Sequence, residues 1–156
     1  IGTTGAKAGF GLYVEGSTSI NGTLRVFEII ETATISAGIL TTTSVQNIDL
    51  GDNNVYYFTS AAQGNWTLNF RGNSTSTLNS FLNVGESMTV AVMTTQGATP
   101  YYNNIVQIDG VNQTVKYYGG VPVTSGNANG IDLYTYVIIK TAANTYTVLY
   151  SQSQYS

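Results

Sequence analysis

The sequence predicts an all-β protein: an antiparallel β-sandwich of jelly-roll type over residues 49–156, preceded by a β-rich arm or stalk segment over residues 1–48. Three observations carry this reading. Apolar stretches alternate with period two or form short β-branched and aromatic runs; Gly, Asn, Asp or Ser bound them; and no helix-length stretch shows a 3.6-residue period. Many short strands separated by turn residues make a sandwich or a barrel. Helix is expected below about a tenth of the residues, against the usual third.

In chain order, Asn21-Gly22 signals a tight turn before a first strand at 23–30, where Leu24 and Val26 share one face and Arg25 and Phe27 the other. A strand at 44–50 ends in the loop Gly51-Asp52-Asn53-Asn54, and another follows at 55–59. At 66–70, Trp66, Leu68 and Phe70 alternate with Thr67 and Asn69, the pattern of a half-buried strand. Residues 76–82 break the alternation, and Leu78, Phe81 and Leu82 are spaced for one helical turn or a wide loop. The strand at 86–95 sets Met88, Val90 and Val92 on one face. Asp109-Gly110 between 104–108 and 113–118 predicts a hairpin, and a long loop runs from Gly119 to Gly130. The last strands, 132–140 and 146–150, meet at Ala143-Asn144. Trp66, Leu68, Phe70, Val90, Val92, Leu133 and Val137 are expected to share one core.

The first 48 residues are paced by glycine and small polar residues, with one apolar position per short unit. Such units cannot bury themselves in a monomer and suit stacked or intertwined β structure; an ordinary pair of sandwich strands is the other reading. Ile20, Leu24, Val26 and Ile35 are expected to be covered between subunits. A chain beginning with Ile is expected to be a processed product, a fragment or part of something longer.

Composition argues against chemistry. The chain has 156 residues, no His and no Cys, and only 8% of it is charged, against about a quarter in an ordinary domain. The usual near-neutral base, thiolates and common zinc ligands are therefore missing. No serine sits in a nucleophile elbow. The carboxylates Asp49, Asp52 and Asp109 lie in turn contexts, and Glu28 and Glu31 read as solvated edge charges. Asp49 to Asn54 only faintly resembles a calcium loop, and the glycines at 2–11 precede no helix that could hold phosphate. No enzyme, cofactor or metal is expected. A net charge of −3 with five scattered cations argues against nucleic acid, and no apolar run is long enough for a membrane helix.

The tyrosine pairs remain. In a strand one member of each pair must face outward, so Tyr101, Tyr102, Tyr117 and Tyr118 are the candidate surface-recognition residues, and loops 97–104 and 119–130 are expected to be presented outward. Outward tyrosines suit sugars, but cross-strand packing within or between subunits is the favoured explanation.

From Asn54 onward the sequence resembles a module of virion proteins of marine tailed phages, cyanophage type. The resemblance rests on NVYYFTSAAQGNWTLNFRG from Asn54, LNSFLNVGE from Leu78, Thr89 to Val92, TQGATPYYNNIVQIDG up to Gly110, Tyr117 to Gly120, Ser125 to Lys140 and Tyr146 to Ser151, about two-thirds of the chain. It implies a non-enzymatic structural protein, a fibre or capsid-decoration subunit at the virion surface. Expected partners are copies of itself, as a homotrimer, and other virion proteins. The alternative is a receptor- or carbohydrate-binding fibre tip contacting a host surface glycan; a bacterial surface filament subunit is a more distant one. The family supplies no active-site motif.

Overall fold

The computed structural model describes residues 23–25 and 27–156. The Asn21-Gly22 turn, Ile20, Val26 and the glycines at 2–11 lie outside them. The chain divides into two units, Ile1–Ile30 and Glu31–Ser156. The described residues of the first contain no strand, so the strand expected at 23–30 is not seen there.

The second unit is built from β1 (Ala33–Ser36), β2 (Val45–Asp49), β3 (Val55–Phe58), β4 (Trp66–Arg71), α1 (Leu78–Phe81), β5 (Ser87–Thr95), β6 (Asn103–Ile108), β7 (Val111–Asn112), β8 (Val115–Tyr117), β9 (Ile131–Ala142) and β10 (Thr145–Tyr155). The single helical turn falls where Leu78 and Phe81 break the alternation; Thr77 caps it, its hydroxyl accepting from Ser80 N. Two sheets form, one in the order β1-β3-β5-β9-β10-β8 and one in the order β2-β4-β6-β7. Residues 31–48, expected in the arm, belong to this unit because β1 pairs with β3 and β2 with β4.

The two-sheet, all-β architecture is as expected, but the pairing is not that of an antiparallel jelly roll. From β1 to β6 the chain alternates between the sheets, and each strand lies parallel to the one two earlier: β1 with β3, β3 with β5, β2 with β4 and β4 with β6. Each pass through one sheet serves as the crossover that a parallel pair in the other requires. The first two turns of this coil keep one spacing, since Ala33 is level with Val55 and Val45 with Thr67. Antiparallel pairing is confined to β6–β7, β5–β9 and β9–β10.

The hairpin at Asp109-Gly110 forms, with φ of 50° and 79° at its two central residues, the positive values a tight two-residue turn needs. Its return arm is only β7, however. Residues 115–117, expected in that arm, cross to the other sheet as β8 and lie parallel to β10. The turn at Ala143-Asn144 joins β9 to β10 as expected, with Asn144 at a φ of 53°.

The core lies between the sheets. Trp66, Leu68 and Phe70 of β4 and Val90 and Val92 of β5 are fully buried. Edge contacts between Trp66 and Tyr134 (5.6 Å) and tilted packing of Phe70 on Tyr136 (4.9 Å) join the layers. Leu133 and Val137 are not core residues. In β9 the buried set is Asp132, Tyr134, Tyr136, Ile138 and Lys140, one residue out of phase with the expected face. The tyrosines carry more apolar area inward, and the two charges that flank them find partners: the Lys140 ammonium donates to the carbonyls of Asn79 (2.5 Å) and Leu82 (2.8 Å). The buried Asn103 ties the layers, donating to the carbonyls of Trp66 and Ile105 and accepting from the Tyr136 hydroxyl at 2.9 Å.

Candidate recognition site

The four candidate tyrosines divide by environment. Tyr101 and Tyr102 are half-buried in the turn before β6 and pack against the core. The Tyr101 backbone is held at both ends by one side chain: its N–H donates to Gln96 Oε1 (2.9 Å), and its carbonyl accepts from Gln96 Nε2 (2.8 Å). The N–H of Tyr102 donates to Asn65 Oδ1. Tyr117 closes β8 and packs its ring on Tyr150 at 5.3 Å. Tyr118 opens a short 3-10 turn and is 86% exposed, so it alone of the four offers a free ring.

The two predicted loops meet at one end of the sandwich, although the first is shorter than expected because β6 already begins at Asn103. Asn129 N donates to the Gly97 carbonyl, and Gln96 N to the Gly130 carbonyl, both at 2.9 Å. Gly126 sits against the Tyr101 carbonyl and the side chains of Asp132 and Gln96, where a Cβ would collide with all three. Only glycine allows this approach.

Asp132 anchors the arrangement. It is fully buried and accepts from Gln96 Nε2 (2.9 Å), from Asn127 N (3.2 Å) and from the Tyr134 hydroxyl (3.4 Å). Burial pushes its carboxyl above the usual range, with the hydrogen bonds opposing. Burial likewise pushes Tyr134, Tyr136 and Tyr150 up, reinforced by neighbouring phenols and, at Tyr134, by Asp132.

Beyond the core the inward stripe of β10 continues from Tyr150 to Gln152 and Gln154, and the 121–125 segment lies over it. A cleft of about 470 Å³ opens there, lined by Tyr117, Tyr118, Pro122, Thr124, Ser125, Gln152 and Gln154 among others. A second hollow of about 320 Å³ lies beside it, lined mainly by Val137, Leu149 and the same two tyrosines. Asp132, Gln152 and Gln154 went unrecognised in the sequence. The signal for Asp132 was its even spacing from Tyr134, Tyr136 and Ile138.

The other carboxylates that make described contacts serve the scaffold. Asp49 forms an ion pair with Arg71 at 2.5 Å, and its carbonyl receives Asp52 N and Asn53 N in the turn that sequence suggested. Asp109 accepts from the N–H groups of Leu78 (2.7 Å) and Asn79 (3.1 Å), completing the cap of α1. Glu86 accepts from Asn83 N and Asn83 Nδ2, which lowers its pKa. Among the described residues no cluster of three metal-ligating side chains occurs. No family, curated protein or solved structure matches the chain.

Proposed function

We propose that the chain is a non-enzymatic structural subunit of a phage virion, a fibre or capsid-decoration component that associates with copies of itself as a trimer at the particle surface. The observation that carries this reading is the face of the six-stranded sheet turned away from the second sheet. Ile35, Tyr57, Met93 and Leu133 form one cross-strand row on it, and Thr89, Val137, Leu149 and Lys116 another. Ile35 is 64% and Leu149 42% exposed, the other apolar members are half-buried, and Lys116 is the one charge in these rows. A broad, nearly uncharged apolar sheet face is unusual on a soluble monomer and suits apposition to another copy. The residues that resemble marine-phage virion modules run through both sheets of the same body.

Sedimentation velocity of the intact chain at micromolar concentration tests the assembly: trimer is expected, and monomer alone overturns it. Mass spectrometry of purified tailed-phage particles tests the location, where peptides of this chain are expected in stoichiometric amount. The second reading, a receptor- or carbohydrate-binding fibre tip, is favoured by one observation, the exposed Tyr118 ring beside its cleft.

A further inference from the structure

The larger cleft beside Tyr118 has a construction that the proposed self-association face does not use. Tyr117 and Tyr118 line both hollows, but the smaller one, with Lys116, Val137 and Leu149, belongs to the outward sheet face, so the larger cleft alone lies apart from it. Its volume, about 470 Å³, falls in the range of small-ligand sites.

The floor is held in place. Gln152 Nε2 donates to the Ser125 carbonyl (3.1 Å) and to the Tyr134 hydroxyl (3.2 Å), and Gln154 Nε2 reaches the same carbonyl at 3.5 Å. Through Tyr134 this set joins the buried Asp132. A connected polar network of this kind fixes side chains before any ligand arrives. The Gln152 nitrogen is committed to two acceptors and the exposed Gln154 nitrogen reaches one at 3.5 Å, while the amide oxygens of both accept nothing from the protein among the described residues. They are available to a ligand that donates hydroxyl protons.

The larger hollow contains no Asp, Glu, Lys or Arg. An anionic ligand would find no paired cation there. An exposed aromatic face combined with free amide acceptors on a rigid, uncharged floor matches a pyranose, whose C–H face is apolar and whose rim is hydroxyl groups. We propose that the larger cleft beside Tyr118 binds a chain of neutral sugars, with the Tyr118 ring as the stacking surface and the Gln152 and Gln154 amide oxygens as hydroxyl acceptors. This binding is independent of the virion reading and would stand in a protein that never enters a particle.

The test is a nuclear magnetic resonance titration of the ¹⁵N-labelled full chain with maltoheptaose, cellohexaose and a neutral mannan oligosaccharide at millimolar concentration. A hyaluronan oligosaccharide serves as the anionic control. At least one neutral probe is expected to shift the amides of residues 117–125 and 150–154 and leave the opposite end of the sandwich unmoved. Tyr118→Ala should weaken that probe about 2- to 12-fold, and Tyr118→Phe should not. Because Tyr118 is exposed, both variants are expected to keep the wild-type spectrum elsewhere. Silence from every neutral probe, stronger binding of hyaluronan, shifts that map elsewhere, or undiminished binding by Tyr118→Ala would each overturn the proposal. So would loss of the oligomer in Tyr118→Ala, since the groove would then be a subunit contact.

Discussion

The side-chain amide of Gln96 donates to the buried carboxylate of Asp132 at 2.9 Å while the same amide grips both backbone polar groups of Tyr101. One side chain thus connects the turn before β6 to the start of β9. Asp132 extends the connection to the 119–130 loop by accepting from Asn127 N. The loops at this end are therefore positioned by a buried polar network, and disturbing its centre should be felt across it.

Asp132→Asn is the direct perturbation. Asparagine would turn an N–H₂ group toward a donor, costing about 1–3 kcal/mol for the unmet bonds. The pH dependence follows from the raised carboxyl of Asp132. A folded pKa above the unfolded one means that the stability from this group is fully present below the unfolded value and is lost as pH rises through the folded one. Urea unfolding of both proteins should therefore show a gap that widens as pH falls toward the carboxylate range. A gap that narrows in acid would show that the buried carboxylate is favoured as its anion.

Alkaline pH should unfold the protein steeply. Burial raises the phenols of Tyr134, Tyr136 and Tyr150, so their contribution is fully present below an ordinary tyrosine pKa and is lost as pH rises above it. Above about pH 10 each should cost about 1.4 kcal/mol per pH unit, so the three together give a slope near 4. Absorbance at the tyrosinate band is expected to show these three titrating only together with loss of the β-sheet circular dichroism signal. Independent titration of all tyrosines in a still-folded protein would contradict it.

Much of this could be read from residue order, and the failures are specific. Alternation at Trp66-Leu68-Phe70 and Val90-Val92 identified true core faces because each strand has large apolar side chains on one side and small or polar ones on the other. In β9 both faces are rich in apolar residues, and charge at Asp132 and Lys140 made the wrong one look buried. A one-residue error of phase moves every side chain to the other face. The parallel coil left no local mark. Asp109-Gly110 and Ala143-Asn144 lie at the β6–β7 and β9–β10 hairpins, whereas β1–β3 and β2–β4 close through the opposite sheet. At the candidate site, Tyr118 was visible as a residue type on a loop, but Gln152 and Gln154 become part of it only because β10 outruns the core.

Lys140→Met tests the buried cation at the other end. Methionine fills a similar volume but leaves the carbonyls of Asn79 and Leu82 without their donor. Thermal or urea denaturation should report a loss of about 1–3 kcal/mol, with hydrogen exchange rising first in residues 78–86. A neutral or stabilising outcome would mean that removing the charge outweighs the two unmet acceptors.

The neighbouring positions Val137 and Ile138 separate packing from assembly. Ile138 is fully buried between the sheets, and Ile138→Ala should cost about 2–5 kcal/mol through lost burial and the cavity left behind. Val137 points the other way, level with Thr89 on one side and Leu149 on the other. Val137→Lys places a cation at the centre of that nearly uncharged face, where solvent still reaches it in a single copy. Its cost to the monomer should stay below about 1 kcal/mol, as for surface substitutions with few buried partners. Between copies the same lysine would be desolvated without a partner, and sedimentation should show the oligomer lost. If Val137→Lys unfolds the chain while Ile138→Ala is mild, the two faces of β9 have been assigned the wrong way round. If Val137→Lys folds and still assembles, the face that supports self-association lies elsewhere on the molecule.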